Sequence, residues 1–534
     1  MTGGGYDRVL FDHLVACIAD AVRQAETGMA PGRIYVHAAE LEGVGANRSL
    51  GAHLQNVDAL PGDDSELTDR EMLLMKFVQD IDNLGHIRPV GALNWHALHP
   101  TNLGMFNNLI SGDNKGWAGK MFEDAMAVRH VPRFVAAFGN ASAGDVSGNF
   151  TIDSNGERVF AYPKGDPSDY TRMQDNARLQ FEHAIRLFDT ADEEVTGPIL
   201  TRHVFMDMSN VDIRGRPGDR TWPAAFGVSF GAGSTEDSLA RTTLDGMTIE
   251  SNIVEGFTTL TRVPCIAAIA TLVALPALGL LPAIILGGAP LIFTTATATA
   301  AVIVPAGAVI ISAGGLKPLL DAAMAVLPQP MKSFVNSAIA GLAFPGQINA
   351  PNLIQISQPL VPGTWHFDVP LAVPGSRGDI PGHGAKPIMF APGAVELVFT
   401  PATGAGEQRH ACPLVPHVVP CQLIRIGQVA LAGVPAEFTS TAGRRLKADV
   451  RSALGSEIRH AAIFGFANAY SGYVTTPEEY DAQHYEGAST LYGPHTLDAY
   501  RQVFSDLAIG MANNTAVFGN VGAAFVVPGI FVKP

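Results

Sequence analysis

Apolar and polar residues alternate at helical spacing from residue 7 to 28, DRVLFDHLVACIADAVRQAETG, and Gly28 supplies a helix stop. The following GRIYVHAAEL reads as a strand. After the polar PGDDSELTD, Ser65 and Thr68 offer caps for a helix over REMLLMKFVQD, residues 70–80. IRPVGALNWHALH then returns to an extended pattern. Helices and strands alternate, which predicts an α/β fold, a mixed α+β core.

Three extended runs share a feature. IRPVGALNWHALHP carries His99 near its end, RFVAAFGN leads into a glycine-rich loop holding Asp145 and Ser147, and QLIRIGQVALAGVPAE ends at Glu437, before the helix-like TAGRRLKADVRSAL. Polar groups gathered at strand ends make ligand crevices in sheets covered by helices, so these residues are candidates for a shared site.

Residues 263–316 interrupt the pattern with no charge at all. The block is long enough for two membrane-depth helices of about 20 residues with GGAP as the turn. Prolines 276, 282, 290 and 305 fit a buried, interrupted insertion equally well. The chain therefore divides into residues 1–240, an apolar insertion at 241–350, and residues 351–534.

Composition narrows the partners. Acidic residues outnumber basic ones by 50 to 35, a net charge of −15, and no Lys/Arg stripe is present, which argues against a nucleic-acid partner. Cys17, Cys265, Cys412 and Cys421 form no CxxC pair; Cys412 and Cys421 bracket a short segment that one disulfide would close if the protein is exported. MTGGGYDRVLFDHLV has no signal-peptide pattern.

Individually the candidate residues say little. Ser147 lies in GDVSG, not in the G-x-S-x-G elbow of serine hydrolases, and a serine in a Gly/Asn/Ser loop is by default a turn residue. His96 and His99 lie three apart, on opposite faces if both are in a strand, and no H-E-x-x-H motif exists. Glu437 suits a helix entry or a metal site, and Tyr470 and Tyr473 read as packing residues with a polar tip.

The ordered series is more specific than any member of it. NRSLGAHLQN (47–56), DREMLLMKF (69–77), NWHALHPTNLGMFNNLISGDNKGWA (94–118), FVAAFGNASAGDVSGN (134–149), EVTGP (194–198), GVPAEFTSTAGRRLK (433–447) and YVTTPEEYDAQHYEGASTLYGPHTL (473–497) follow one another. The series resembles the neutral ceramidase family over residues 4–235 and 385–510.

The resemblance implies a zinc-dependent amidohydrolase that cleaves ceramide, or a related N-acyl lipid, into sphingosine and a fatty acid at a membrane surface. By position it implies His99, Glu437 and Tyr473 as zinc ligands, Ser147 as the reactive serine, Arg48 as an assisting group, and Asp145 as a residue orienting the loop or the serine. His, Glu and Tyr are donors suited to a catalytic Zn2+ with an open position. It also implies a secreted or membrane-associated protein. The family's H-T-H-S-G motif, which donates a further histidine, has no counterpart, and Gly148 and Leu50 stand where the family has proline. The chain is therefore expected to be shortened at both ends relative to the family, with the C-terminal β-sandwich missing. A relative that binds lipid without catalysis is the alternative.

Overall fold

The computed structural model describes residues 8–59, 67–81, 86–104, 107, 109–152, 158–160, 167–227, 229–230, 233–234, 382–386 and 415–521, with isolated strands between 280 and 413. Apart from two short paired strands, Leu280–Ala283 and Ile310–Ala313, the uncharged block lies outside the described residues. Among the described residues no helix is long and apolar enough to cross a membrane.

The amphipathic run at the start is helix α1 (Arg8–Thr27), whose Leu14, Ile18 and Val22 remain exposed. Then follow β1 (Gly32–Glu40), β2 (Ala46–Asn47), α2 (Leu50–His53), β3 (Glu71–Asp80), β4 (Ile87–His96), α3 (Asp113–Val128), β5 (Val135–Asn140), β6 (Val146–Ser147), α4 (Pro167–Thr190) and β7 (Glu193–Glu194). The first sheet has the order β5-β4-β3-β1-β7. Its β4 and β5 run parallel, and its other neighbours are antiparallel.

Residues 71–80 are therefore a strand, not the helix that their Ser/Thr-capped pattern predicts. Met72, Leu73, Leu74 and Met75 are all buried because both faces of β3 are covered. On one face Lys76 Nζ donates to the Phe188 carbonyl of α4 at 3.0 Å. On the other, Leu73 pairs with Trp95, whose ring meets Phe464 edge-on at 5.8 Å. A strand buried on both faces needs apolar residues at successive positions, and this removes the period-two signal.

The second sheet comes from β8 (Ile199–Asp207), β9 (Val418–Ile426), β10 (Val429–Gly433) and β12 (His460–Phe464), in the order β8-β9-β10-β12. Between β10 and β12 lie β11 (Glu437–Phe438) and α5 (Ser440–Leu454). After them come β13 (Tyr473–Val474), α6 (Pro477–Ala482), α7 (Tyr485–Ala488) and α8 (Thr496–Ala512). Alternation along β10 shows the layering: Val429 and Leu431 join the core of the first sheet, while Ala430 and Ala432 join the core beneath α5 and α8. The two sheets thus face each other, with helices on their outer sides. Cys421 is a free thiol buried in this core, and the side chain of Cys412 lies outside the described residues.

The parallel pairs matter for function. β4 lies beside β5 and β10 beside β12, so the loops leaving their C-terminal ends emerge on one side. His99, Ser147, Glu437 and Tyr473 all lie in or beyond those loops.

At the edge of this region Lys115 of α3 is buried and donates from Nζ to the His96 carbonyl at 2.7 Å. Burial lowers its pKa to about 7. The unfolded chain keeps this proton up to about pH 10, so between pH 7 and 10 it binds more protons than the folded protein and stability rises with pH. Lys115→Met is expected to raise stability at pH 7 by ~1–3 kcal/mol and to flatten that rise, read by urea unfolding across the range.

Candidate functional site

His99 is placed by its main chain. β4 ends at His96; the Leu98 N–H then donates to Asn140 Oδ1 at 3.2 Å and the His99 N–H to the Val146 carbonyl at 3.2 Å. Asn114, in the first turn of α3, donates to the His99 carbonyl at 3.0 Å. The ring also meets Val146 O, through Nδ1 at 3.0 Å. A carbonyl oxygen only accepts, so Nδ1 carries a proton and the Nε2 edge turns toward the site.

The loop that holds Ser147 is fixed from both sides. β6 pairs with β2, setting Ala46 opposite Ser147 and Asn47 opposite Val146. The Asn149 N–H donates to Ser147 Oγ at 2.9 Å, the local turn bond that its glycine-rich setting predicts. Gly144 lets the loop touch β11: its N–H donates to the Phe438 carbonyl at 2.8 Å, and a Cβ there would meet that residue's backbone at 2.9 Å. At Gly148, a Cβ would come within 2.5 Å of Asn176 Nδ2, which donates to the Gly148 carbonyl.

Glu437 and Tyr473 are brought together by a two-residue parallel ladder between β11 and β13, in which they face each other in register. Their side chains converge on His99. Nε2 of His99 lies 2.6 Å from Glu437 Oε2 and 3.5 Å from the Tyr473 hydroxyl. The second Glu437 oxygen accepts from the Tyr470 hydroxyl at 2.5 Å.

Arg48, just past β2, closes the site from the side. Its guanidinium donates to the Tyr473 hydroxyl and the Gly144 carbonyl, each at 3.0 Å, and to Glu486 at 2.8 Å. All four groups, Arg48, His99, Glu437 and Tyr473, are buried. Burial pushes the Glu437 carboxyl up, but the His99 ring, the Tyr470 hydroxyl and Arg48 outweigh it and hold the pKa below the usual value. Burial, reinforced by Glu437, raises the Tyr473 hydroxyl well above its usual range.

Asp145 works on the loop, not on the serine hydroxyl. Its Oδ1 accepts from the Ser440 N–H and hydroxyl, both at 2.8 Å, and its Oδ2 from Asn47 at 2.9 Å. It therefore ties the Ser147 loop to the first residue of α5 and to β2. From the sequence alone Tyr470 reads as a packing residue, and neither Glu486 nor Glu479 stands out. The YVTTPEEYDAQHYEGAST stretch held the signal for the two glutamates, since carboxylates inside an otherwise apolar and hydroxylic run need buried partners.

Three comparisons bear on this arrangement. The family model for the N-terminal part of neutral/alkaline non-lysosomal ceramidases matches residues 1–267 and 401–502. Neutral ceramidase of Oryza sativa subsp. japonica is 26% identical across 97% of the chain, and that of Pseudomonas aeruginosa is 28% identical across 96%. The crystal structure of the Pseudomonas aeruginosa neutral ceramidase superposes with a TM-score of 0.60 at 26% identity over 98% of the chain. The chain spans 62% of the rice protein and 56% of the bacterial one, and 59% of the crystallised chain.

The Arg48–Glu486 pair is buried on both sides and should be costly to break singly. Arg48→Met is expected to lower unfolding free energy by ~3 kcal/mol, because Glu486 is left without its cation, whereas Arg48→Met with Glu486→Leu recovers most of that loss. Urea titrations of the three proteins check both values.

Proposed function

Because the chain belongs to the neutral/alkaline non-lysosomal ceramidase family, we propose that it is a hydrolase acting on the N-acyl bond of ceramide. Water adds across the amide, the C–N bond breaks, and a fatty acid and the free amine of sphingosine result. The observation that carries this reading is the convergence of His99 Nε2, Glu437 Oε2 and the Tyr473 hydroxyl beside Arg48.

That donor set fits a zinc ion. The imidazole is fixed through Nδ1 by a backbone carbonyl, which leaves Nε2 directed at the carboxylate, and Tyr470 fixes the far oxygen of Glu437. His99, Glu437 and Tyr473 would hold the metal. Bound there, zinc supplies Lewis-acid polarisation of a carbonyl and a water acidified toward neutral pH.

The chain's own groups do the rest. Ser147, pinned through Asn149, presents its hydroxyl in the loop whose preceding carbonyl holds His99. Arg48 keeps a positive charge beside Tyr473, where it offsets negative charge developing on the amide oxygen. Glu486 holds that guanidinium in place. A lipid substrate is supported by the rim: Phe466 stacks on Tyr470 with centroids 6.2 Å apart, and both rings are partly exposed beside Glu437.

With N-acylsphingosine in detergent micelles, the full chain is expected to release fatty acid. Ser147→Ala and Glu437→Gln should each lower kcat/KM by ~10²-fold or more while the thermal midpoint stays within a few degrees. No release by the folded wild-type protein, with zinc supplied, would overturn the reading and leave a lipid-binding relative.

A further inference from the structure

A second cluster of buried donors lies behind the serine loop. Asp145, Glu479 of α6 and His53 at the end of α2 each offer one ligand atom, and these three atoms lie within 4.8 Å of one another. They surround a cavity of about 10 Å³ that Glu486 and Thr439 also line. A space of that size admits one water-sized occupant.

The charges around it do not cancel. Asp145, Glu479 and Glu486 bring three carboxylates, and the Arg48 guanidinium paired with Glu486 is one cation. Burial raises the Asp145 carboxyl to about 7, with Glu479 adding to the shift. Hydrogen bonds share the load: Glu479 accepts from Asn56 at 2.8 Å, Thr439 at 2.6 Å and the Thr476 N–H at 3.0 Å. These donors are neutral and bring no positive charge to the pair.

His53 is the independent observation. It is only 3% exposed, and its Nε2 has no hydrogen-bond partner among the described residues. Its Nδ1 makes one long contact of 3.4 Å with the Thr441 hydroxyl. Burial also lowers its pKa, which keeps the ring neutral and a lone pair available. A buried imidazole nitrogen without a partner, on the wall of a carboxylate-lined cavity, is a ligand in want of a cation.

We infer that His53, Asp145 and Glu479 form a second metal site, for a divalent cation of the Mn2+ or Zn2+ class, distinct from the His99–Glu437–Tyr473 centre. Imidazole and carboxylate together suit such ions. Three donors held about 2.1 Å from one small cation stand roughly 3–3.6 Å from one another, so groups that now lie within 4.8 Å draw together when the ion binds. The cation joins three segments that frame the active loop: α2 beside Arg48, the Asp145 turn before Ser147, and the start of α6. Its role is to neutralise the buried carboxylates and hold the serine loop still.

The test is a metal count on the full chain, stripped with chelator and titrated separately with Mn2+ and Zn2+. His53 makes no short hydrogen bond, so His53→Ala removes a ligand without disturbing the caps that Asp145 and Glu479 serve. Wild type is expected to bind two equivalents. His53→Ala should lose one, or bind it at least ~10-fold more weakly, and lose part of the rise in thermal midpoint on adding metal. His99→Ala should lose the other equivalent and keep the one that depends on His53, so the two sites stand or fall separately. A folded His53→Ala protein that binds the same number of ions with wild-type affinity overturns the proposal.

Discussion

One carbonyl oxygen organises the site. Val146 O accepts both the main-chain N–H and the ring Nδ1–H of His99, at 3.2 and 3.0 Å, and it belongs to the residue just before Ser147. That double acceptance makes the serine loop and the histidine loop a single object. From His99 the connection runs through Nε2 to Glu437 and Tyr473, and the β11–β13 ladder sets the register of those two. The parallel strand pairs bring the loops to one side of the molecule, and the Val146 carbonyl sets the direction of the imidazole within that space.

The second organising fact is the cost of the charges placed around this centre. Glu437, Glu479, Glu486, Asp145 and Arg48 are all buried, and removing such groups from water costs several kcal/mol each unless hydrogen bonds and opposite charge compensate. The compensation is traceable: a tyrosine and a histidine at Glu437, a serine and an asparagine at Asp145, a capping box at Glu479, and a guanidinium at Glu486. A protein built only for stability would fill this volume with apolar side chains. Polar groups kept at such expense mark a place where function overrides local stability.

Much of this was readable in the chain before its fold. The alternation in residues 7–28, the extended runs that end near His99 and Glu437, and a mixed α/β core all correspond to observed elements. The segment 70–80 did not read correctly, because Met and Leu at successive positions suit a helix, and only pairing to β1 and β4 makes them a strand. The site residues carried little signal singly; their order along the chain and the family resemblance singled them out. Their contacts were not legible at all, since His99 meets Glu437 across 338 positions and Arg48 meets Glu486 across 438. Tyr470 shows the limit most clearly: nothing local separates a tyrosine that packs from one that fixes a carboxylate oxygen.

The central question about the site is whether His99, Glu437 and Tyr473 hold a metal as a unit. Anomalous diffraction at the zinc edge, from crystals of the full chain equilibrated with zinc, addresses this directly. The expected result is a peak between His99 Nε2, Glu437 Oε2 and the Tyr473 hydroxyl, with the His99 Nδ1 bond to Val146 O retained. No peak at that position in zinc-equilibrated crystals, with the contact between His99 and Glu437 still direct, would contradict it.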